Sequence, residues 1–290
     1  MNKQLSIIIV TYNSEKLIFE CLDSIYKYND IGDSLEVIIV DNCSNDQERV
    51  FEKIKTEYPN DIILIKSPIN GGYGHGNNQG VKIASASRFI VMNPDVRLVV
   101  PIFSKILAKF DTNKRIGMMG VTFTDGSNHL YFKPEHANFM KLVLNRFLIK
   151  FGLYNSNEMF FSGSFLVFDK LTFESAGYFD ENIFLFHEEA DISNRILSVG
   201  SKVVLANDIS VLHLAHGREV NTFLLKVGCE SRHYYFDKYN GNIDRYYSNY
   251  LLIYRFKYLL AVLLRNEIKK HEFLAWIKMC KNKGKVENIY

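Results

Sequence analysis

Hydrophobic residues in the first third of the chain fall into short uninterrupted runs, separated by segments whose apolar positions recur every three or four residues. Continuous β-branched runs are typical of strands buried on both faces of a parallel sheet, and the intervening periodicity is typical of helices. The predicted strands are 5–12, 35–41, 62–65 and 88–92, and the predicted helices are about 15–28, 46–57 and 76–86. This alternation predicts an α/β fold with a mostly parallel central sheet flanked by helices.

The alternation weakens after Asp95. We expect helices at 101–110 and 188–199, short strands at 116–121, 165–168 and 202–206, and an irregular aromatic segment at 123–160 that covers a cleft. From about residue 219 the pattern is helical. We therefore predict a nucleotide-binding and catalytic domain at 1–218 and a C-terminal helical region at 219–290.

Composition excludes several classes of protein. The 290 residues are 47% hydrophobic and 23% charged, which is ordinary for a globular chain. The four cysteines are widely spaced, which argues against a disulfide scaffold or a cysteine zinc site and favours a reducing compartment. No signal peptide or membrane-spanning run is recognised, so we expect a cytoplasmic protein.

Charge is unevenly distributed along the chain. Residues 241–290 hold ten Lys or Arg against four Asp or Glu, together with many aromatic residues. A basic aromatic helix is typical of a membrane-surface contact, for example with an anionic inner leaflet, although a helical pair packed on the core or a homodimer contact remains open. No base-reading motif is present, so nucleic acid is not an expected partner.

Polar residues follow each predicted strand. Ligands bind at the carboxyl ends of the strands in such sheets, so these residues are expected to meet at one site. They are Thr11, Tyr12, Asn13, Asp41, Asn42, Asn70, Gly71, Gly72, Asn93 and Asp95.

Three further features bear on chemistry. Asp95 is suited to bind Mg²⁺ or Mn²⁺, or alternatively to cap a helix. The segment 70–80, which includes Asn77, has five glycines and no Walker or dinucleotide fingerprint, so it is an anion-binding loop or a flexible turn. Because the first strand lacks the glycine fingerprint, an oxidoreductase is disfavoured.

Glu188, Glu189 and Asp191 cluster at the start of a predicted helix. They either supply a general base of raised pKa or only complement the helix dipole. His213 and His216 follow an apolar run, and one of them is either structural or a metal ligand.

Together these segments resemble the family 2 glycosyltransferases of the GT-A fold, in particular the rhamnosyltransferase-like branch. The resemblance covers about residues 5–216 in the family's order. The matching segments are 9–13, 40–46, 70–80, 92–95, 162–165, 173–181 and 184–191, with Arg195 behind the last.

The resemblance implies a role for each matching residue. Thr11, Tyr12 and Asp41 would line the base and ribose pocket, with Asn70 and Gly71 beside the nucleotide. Asp95 matches the last Asp of the family's D-x-D motif, whose first Asp is Asn93 here, and would bind the divalent ion. His213, slightly favoured over His216, would be a second metal ligand.

The family's Glu-Asp pair corresponds to Glu188-Glu189, so the catalytic base would be Glu189, with Asp191 supporting the acceptor side or the helix start. The implied activity is inverting transfer of rhamnose or a similar hexose from a nucleoside-diphosphate sugar to a saccharide or lipid-linked saccharide, in bacterial surface polysaccharide synthesis. The alternatives are a sugar nucleotidyltransferase, disfavoured because residues 70–80 lack Lys and Arg, and a non-catalytic sugar-nucleotide binding protein.

Overall fold

A computed structural model of the chain describes residues 2–58, 61–124, 130–151, 153–214 and 222–284. Its strands are β1 (Leu5–Thr11), β2 (Leu35–Asp41), β3 (Ile63–Lys66), β4 (Arg88–Met92), β5 (Val96–Arg97), β6 (Ile116–Phe123), β7 (Leu130–Phe132), β8 (Met159–Phe161), β9 (Phe165–Asp169) and β10 (Lys202–His213). Its helices are α1 (Glu15–Lys27), α2 (Gln47–Glu57), α3 (Gly72–Ile83), α4 (Phe103–Thr112), α5 (Phe139–Lys150), α6 (Lys170–Ser175), α7 (Glu188–Ser198), α8 (Thr222–Lys238), α9 (Ile243–Leu263) and α10 (Glu267–Lys281).

The main sheet has eight strands in the order β3-β2-β1-β4-β9-β6-β10-β5. Six strands share one direction: β1, β2, β3, β4, β6 and β10. β1 pairs in parallel with β2 and with β4, β2 pairs in parallel with β3, and β6 pairs in parallel with β10. β9 runs antiparallel between β4 and β6, and β5 runs antiparallel to β10. The predicted mostly parallel α/β sheet with a C-terminal helical region is thereby confirmed.

The strands carry the core because both of their faces are covered. Ile7, Ile9 and Ile39 are fully buried, and α1 contributes Ile18 and Leu22 from one face. Burial of each such side chain stabilises the fold by roughly 1.5–3 kcal/mol. This layered core places the carboxyl ends of β1, β2 and β4 on one edge.

The chain divides into two compact units. The first comprises 1–130, 160–184 and 188–217, and the second comprises 131–159, 185–187 and 218–290. Residues 131–159, expected with the first domain, therefore group with the C-terminal helices. The domain boundary at residue 218 stays a prediction.

The second unit is built mainly of helices. The segment 123–160 is not irregular throughout, because Phe139–Lys150 forms the helix α5 within it. Asn242 and Asn266 cap α9 and α10, accepting hydrogen bonds from the Arg245 and Lys269 amides at 2.8 and 3.0 Å. Among the described residues, no helix combines the length and apolar character needed to cross a bilayer.

Candidate active site

The ends of β1 and β2 are joined by a buried hydrogen bond from Thr11 Oγ1 to Asp41 Oδ2, at 3.0 Å. Asp41 Oδ1 accepts from the Ser44 amide at 2.7 Å and from Gln47 Nε2 at 2.8 Å. Seven residue pairs hold β1 and β2 in register, and the last pair is Thr11 with Asp41, which explains how two residues thirty positions apart meet. The carboxylate is thus held in one orientation at the edge of the sheet.

Tyr12 and Asn13 follow Thr11 on the loop after β1. Tyr12 is 51% exposed, so its ring is available to a ligand. Asn13 adopts a φ of 50° and accepts a hydrogen bond from the Asn45 amide at 3.0 Å. Asn13 therefore ties together the two loops that follow β1 and β2, while its predicted contact with a nucleotide stays a prediction.

The glycine-rich segment forms a helix, α3, which begins at Gly72 and not near residue 76 as expected. A Cβ on Gly76 would lie 2.7 Å from Val10 Cγ1, and one on Gly80 would lie 2.5 Å from Ile8 Cγ2. These glycines therefore let α3 lie close against β1. Their spacing of four residues is explained by helix packing rather than by an anion-binding loop.

The start of α3 is fixed by amide contacts. Asn42 Nδ2 donates to Gly72 O at 2.8 Å and to Asn70 Oδ1 at 3.3 Å, and Asn70 Oδ1 also accepts from the Gly72 amide at 3.1 Å. Gly72 has a φ of +87°, and a Cβ there would lie 2.1 Å from Phe184 O. Gly71 precedes the helix as its cap. Only glycine fits at position 72.

Asn42 and Asn77 each retain a buried side-chain oxygen that has no hydrogen-bond partner in the part of the chain that the structure describes. Asn77 Nδ2 donates to Tyr73 O at 2.9 Å, so its side-chain direction is fixed. A buried acceptor without a donor is costly, and a ligand hydroxyl or amide could supply one.

The Glu188-Glu189 pair opens α7, and its environment raises both pKa values. Burial, followed by the neighbouring Glu189 carboxylate, raises the pKa of Glu188 well above its ordinary value. Burial raises the pKa of Glu189 to about 7, against hydrogen bonds that lower it. Glu189 is therefore poised to accept a proton near neutral pH, while Glu188 is the second of the two to ionise.

Glu189 is oriented by a short chain of hydrogen bonds. The Gly163 amide donates to Glu189 Oε1 at 2.7 Å, and Tyr73 Oη donates to Gly163 O at 2.6 Å. A Cβ on Gly163 would lie 2.6 Å from Glu189 Oε1, so a larger residue would displace the carboxylate. Burial and the two glutamates raise the pKa of Tyr73, which keeps the phenol a donor.

Asp191 has a different setting from Glu189. It is fully buried, and its Oδ2 accepts from Arg195 Nε at 2.9 Å and from Nη2 at 2.6 Å. Arg195 also donates to Ala176 O, after α6. This arrangement suits support of the helix start rather than contact with a substrate.

Asp95 and His213 are brought together by strand pairing. Val96 in β5 pairs with His213 in β10, and the Leu214 amide donates to Asp95 O at 2.9 Å. Asp95 Oδ1 lies 3.4 Å from His213 Nε2. His216, the alternative ligand, lies outside the described residues.

The donor set at Asp95 fits a divalent ion that keeps ligands from elsewhere. One carboxylate and one imidazole can hold Mn²⁺ or Mg²⁺ only if phosphate or water oxygens complete the shell. Within the described ranges no cluster of three or more His, Cys, Asp or Glu side chains forms a complete protein cage. The chain's own residues therefore fit a metal shared with a phosphate-bearing ligand.

Arg97 holds the loop that carries Asp95. This guanidinium, 8% exposed, donates from Nη1 to Pro94 O at 2.6 Å and from Nη2 to Leu17 O at 3.0 Å and Glu20 Oε2 at 2.9 Å. The loop is thereby fastened to α1.

A continuous network joins the strand-end residues to the glutamates. The Asn93 amide donates to Ser164 O at 2.9 Å, next to Gly163, which contacts Glu189. Asn42 follows Asp41 in the chain and donates a hydrogen bond to Gly72 O, and Gly72 directly precedes Tyr73. Asp41, Asp95 and Glu189 therefore belong to one connected site within the first unit.

Three residues of this network were not identified from the sequence, namely Tyr73, Gly163 and Arg97. Gly163 carried a signal, since it lies in the segment 162–165 used for the family resemblance. Tyr73 and Arg97 resemble ordinary helix and strand residues, because their partners are 90 and about 80 positions away in the chain.

Comparisons with known proteins agree with this geometry. The profile of the family described as glycosyl transferase family 2 matches residues 6–176. A poly(ribitol-phosphate) beta-glucosyltransferase of Bacillus spizizenii is 33% identical over 93 residues, which is 32% of this chain and 15% of that protein. The low-salt glycan biosynthesis hexosyltransferase Agl10 of Haloferax volcanii is 26% identical over 215 residues, 67% of this chain and 62% of that protein.

The chain thus spans less than two thirds of the length of these relatives. Among solved structures, a mannosyltransferase from Pyrobaculum calidifontis in complex with GDP-Man and Mn²⁺ superposes with a TM-score of 0.65 at 15% identity. That likeness covers 100% of this chain and 88% of the other, and it supports the GT-A fold. Because the family profile matches more than half of the chain, and the strand ends, Gly163 and the paired glutamates meet in one network, this chain belongs to glycosyl transferase family 2.

Proposed function

We propose that this chain is an inverting glycosyltransferase that moves rhamnose or a similar hexose from a nucleoside-diphosphate sugar to a saccharide or lipid-linked saccharide acceptor. The observation that carries the proposal is the pairing of Gly163 with Glu189, whose pKa of about 7 suits a general base. The same segment reaches Asp95 through the hydrogen bond between Ser164 and Asn93.

The proposed reaction is a single displacement. Glu189 takes the proton of an acceptor hydroxyl, and the oxygen lone pair attacks the anomeric carbon. The bond from that carbon to the diphosphate oxygen breaks, its electron pair leaves with the nucleoside diphosphate, and the configuration at the carbon inverts. Glu188, neutral while Glu189 titrates, keeps a second negative charge away from the attacking oxygen.

The donor nucleotide is proposed to lie along the ends of β1 and β2. Asp41 is held by Thr11 and can accept from a base, and the exposed ring of Tyr12 can stack on it. Asn70, Gly71, Gly72, Asn77 and Asn93 would complete this side. The Pyrobaculum calidifontis mannosyltransferase, whose structure holds GDP-Man, supports a nucleotide ligand of this kind.

Asp95 and His213 are proposed to bind Mn²⁺ or Mg²⁺ together with the donor diphosphate. When bound, the ion neutralises charge that develops on the leaving group. The chain's own contribution is to hold the Asp95 loop in place through Arg97. A Mn²⁺-containing neighbour supports this choice of ion.

The acceptor is proposed to belong to bacterial surface polysaccharide synthesis, as the names of the poly(ribitol-phosphate) and glycan relatives suggest. Apolar side chains on α9 and α10 remain exposed beside basic ones, including Leu259, Leu263 and Ile268. We propose that this basic, apolar face binds the anionic inner leaflet of the cell membrane from the cytoplasm. Flotation with anionic vesicles tests this, and concentration-dependent dimers without flotation would instead assign the face to a second copy.

The test of function is a donor panel measured by two readouts. UDP-, GDP- and dTDP-sugars are added with Mn²⁺, and both thermal stability and release of nucleoside diphosphate are followed, with the anomeric configuration of the product determined by NMR. One donor should raise the melting temperature by mass action and turn over with inversion. Binding without release of nucleoside diphosphate, even with saccharide acceptors, would identify a non-catalytic binding protein, and a retained configuration would refute the mechanism.

A further inference from the structure

A cavity of about 140 Å³ lies within the second, mainly helical unit. Its walls come from α8, α9 and α10. They are Arg232, Tyr246, Tyr247, Tyr250, Tyr254, Trp276, Met279 and Cys280.

Arg232 is the charged group of this cavity, and it has no carboxylate partner among the described residues. Its Nη1 donates to Tyr247 Oη at 3.3 Å and contacts Cys229 Sγ at 3.9 Å. Its Nε is buried and has no hydrogen-bond partner in the described part of the chain. A guanidinium withdrawn from water without a counter-charge is costly, so an anion that reached it would bind favourably.

The remaining walls favour an anion of phosphate type. Arg232 lies over the rings of Tyr246 and Tyr247, at 5.0 and 5.7 Å from their centroids, which fixes the plane of its fork. Burial raises the pKa of Tyr246 and of Tyr250, and Tyr250 donates a hydrogen bond to Tyr246, so the Tyr246 hydroxyl keeps its own proton for a ligand. A phosphate offers three or more acceptor oxygens to such a donor set, whereas a carboxylate offers two.

Two aromatic rings of the cavity wall stack on each other. The centroids of Tyr254 and Trp276 are 5.1 Å apart and their planes are 7° from parallel, so each ring fixes the orientation of the other. The part of this stacked pair that lines the cavity can pack against the carbon skeleton attached to a phosphate, and the cavity volume is sufficient for a phosphate group with a few further atoms.

We propose that this cavity binds a phosphate-bearing ligand, with the Arg232 guanidinium as its anchor and the stacked Tyr254–Trp276 pair against the organic part. The ligand is a phosphate ester, either of a soluble polyol or sugar or of a phospholipid headgroup. The cavity shares no lining residue with the proposed donor site, and the proposal does not depend on the proposed transfer reaction.

The test uses the intrinsic fluorescence of the full chain. Trp276 is the only tryptophan in the sequence and lines the cavity, so its emission reports this site without a label. Inorganic phosphate, glycerol 3-phosphate, and vesicles of phosphatidylglycerol or phosphatidylcholine are titrated at constant ionic strength, with acetate as the carboxylate comparison. A saturable change with the phosphate esters, and little with acetate, is expected.

Two variants and a matched control complete the test. Arg232→Gln should weaken binding at least tenfold, and Tyr247→Phe should weaken it less while preserving the packing. Arg255→Gln removes the same charge from the exposed face of α9 and should leave the titration unchanged. If Arg232→Gln fails to fold, the wild-type and Tyr247→Phe titrations decide the matter.

The outcomes separate the two sources of phosphate. A response to glycerol 3-phosphate assigns a soluble ester, and an Arg232-dependent response to phosphatidylglycerol vesicles alone assigns a headgroup. No saturable change with any phosphate ligand, an equal change with acetate, or an unchanged titration in a folded Arg232→Gln protein would overturn the proposal. Because donor turnover is measured separately, a failure of the proposed transfer reaction can be distinguished from a failure of the proposed phosphate-binding cavity.

Discussion

The two carboxylate regions of the site, around Asp95 and around Glu189, differ in what faces the carboxylate. Asp95 lies 3.4 Å from an imidazole nitrogen, just before β5, whereas Glu189 is half-buried beside the buried Glu188. The first setting suits a carboxylate that binds a cation together with the imidazole. The second raises the pKa and suits a carboxylate that takes up a proton, so one fold gives two similar groups opposite tasks.

The largest effect is expected at the base. Glu189→Gln should lower kcat by about 10³-fold, because an amide keeps the hydrogen bond from Gly163 but cannot accept the acceptor's proton. Nucleoside diphosphate release with a saturating donor measures this. Glu188→Gln is the matched comparison and should cost about tenfold or less, since Glu188 is neutral when Glu189 titrates. The reverse ranking would transfer the role of base to Glu188.

The free energy of unfolding shows whether Glu189→Gln loses activity because the base is missing or because the protein is unfolded. The folded pKa of about 7 lies above the ordinary 4.5, so the native state binds more protons than the unfolded one between these values and loses stability as pH rises through them. Glu189→Gln should therefore increase the free energy of unfolding at pH 8 by on the order of 1 kcal/mol, allowing for solvent screening. Chemical denaturation at pH 5 and pH 8 measures the difference.

The next effect is expected at the metal end. Asp95→Asn should lower kcat/KM by about 10²-fold and raise the Mn²⁺ concentration needed for half-maximal rate, because a charged oxygen ligand becomes neutral. Asp33→Asn, in the exposed 3₁₀ helix before β2, is the control. An Asp95→Asn enzyme with wild-type Mn²⁺ dependence would show that this carboxylate does not hold the ion.

The pH profile should follow Glu189 alone. Since its pKa is about 7 and the base must be deprotonated, kcat/KM should be about 30-fold lower at pH 5.5 than at pH 8. Asp95→Asn should keep this midpoint although its rates are lower. A midpoint near 4.5 would mean that the site does not raise the pKa of its base.

The smallest effect is expected from a residue that acts through another. Tyr73→Phe removes the hydrogen bond to Gly163 O and should lower kcat by about three- to tenfold with little change in KM, while shifting the pH midpoint. Tyr26→Phe, in α1, is the control substitution. If the Tyr73→Phe enzyme keeps both the wild-type kcat and the wild-type midpoint of the pH profile, Tyr73 has only a packing role.

The α/β fold was predictable from local pattern, whereas the site was predictable only in part. Asp41 and Asp95 were found because parallel strands end at one edge, so position in the chain implies position in space. The early start of α3 was missed because its glycines suggest a loop until β1 is packed against them. The helix α5 was missed because its apolar residues are distributed around the helix and do not mark one face.

By itself the sequence determined the alternation of strands and helices over residues 5–92, the polar residues at the strand ends and the family to which the chain belongs. These follow from short-range periodicity and from motifs read along the chain. Only the tertiary structure decided that Tyr73 reaches Gly163 and that Gly163 orients Glu189. The reason is physical, since a pKa and a hydrogen bond depend on burial and on partners that are distant in the chain.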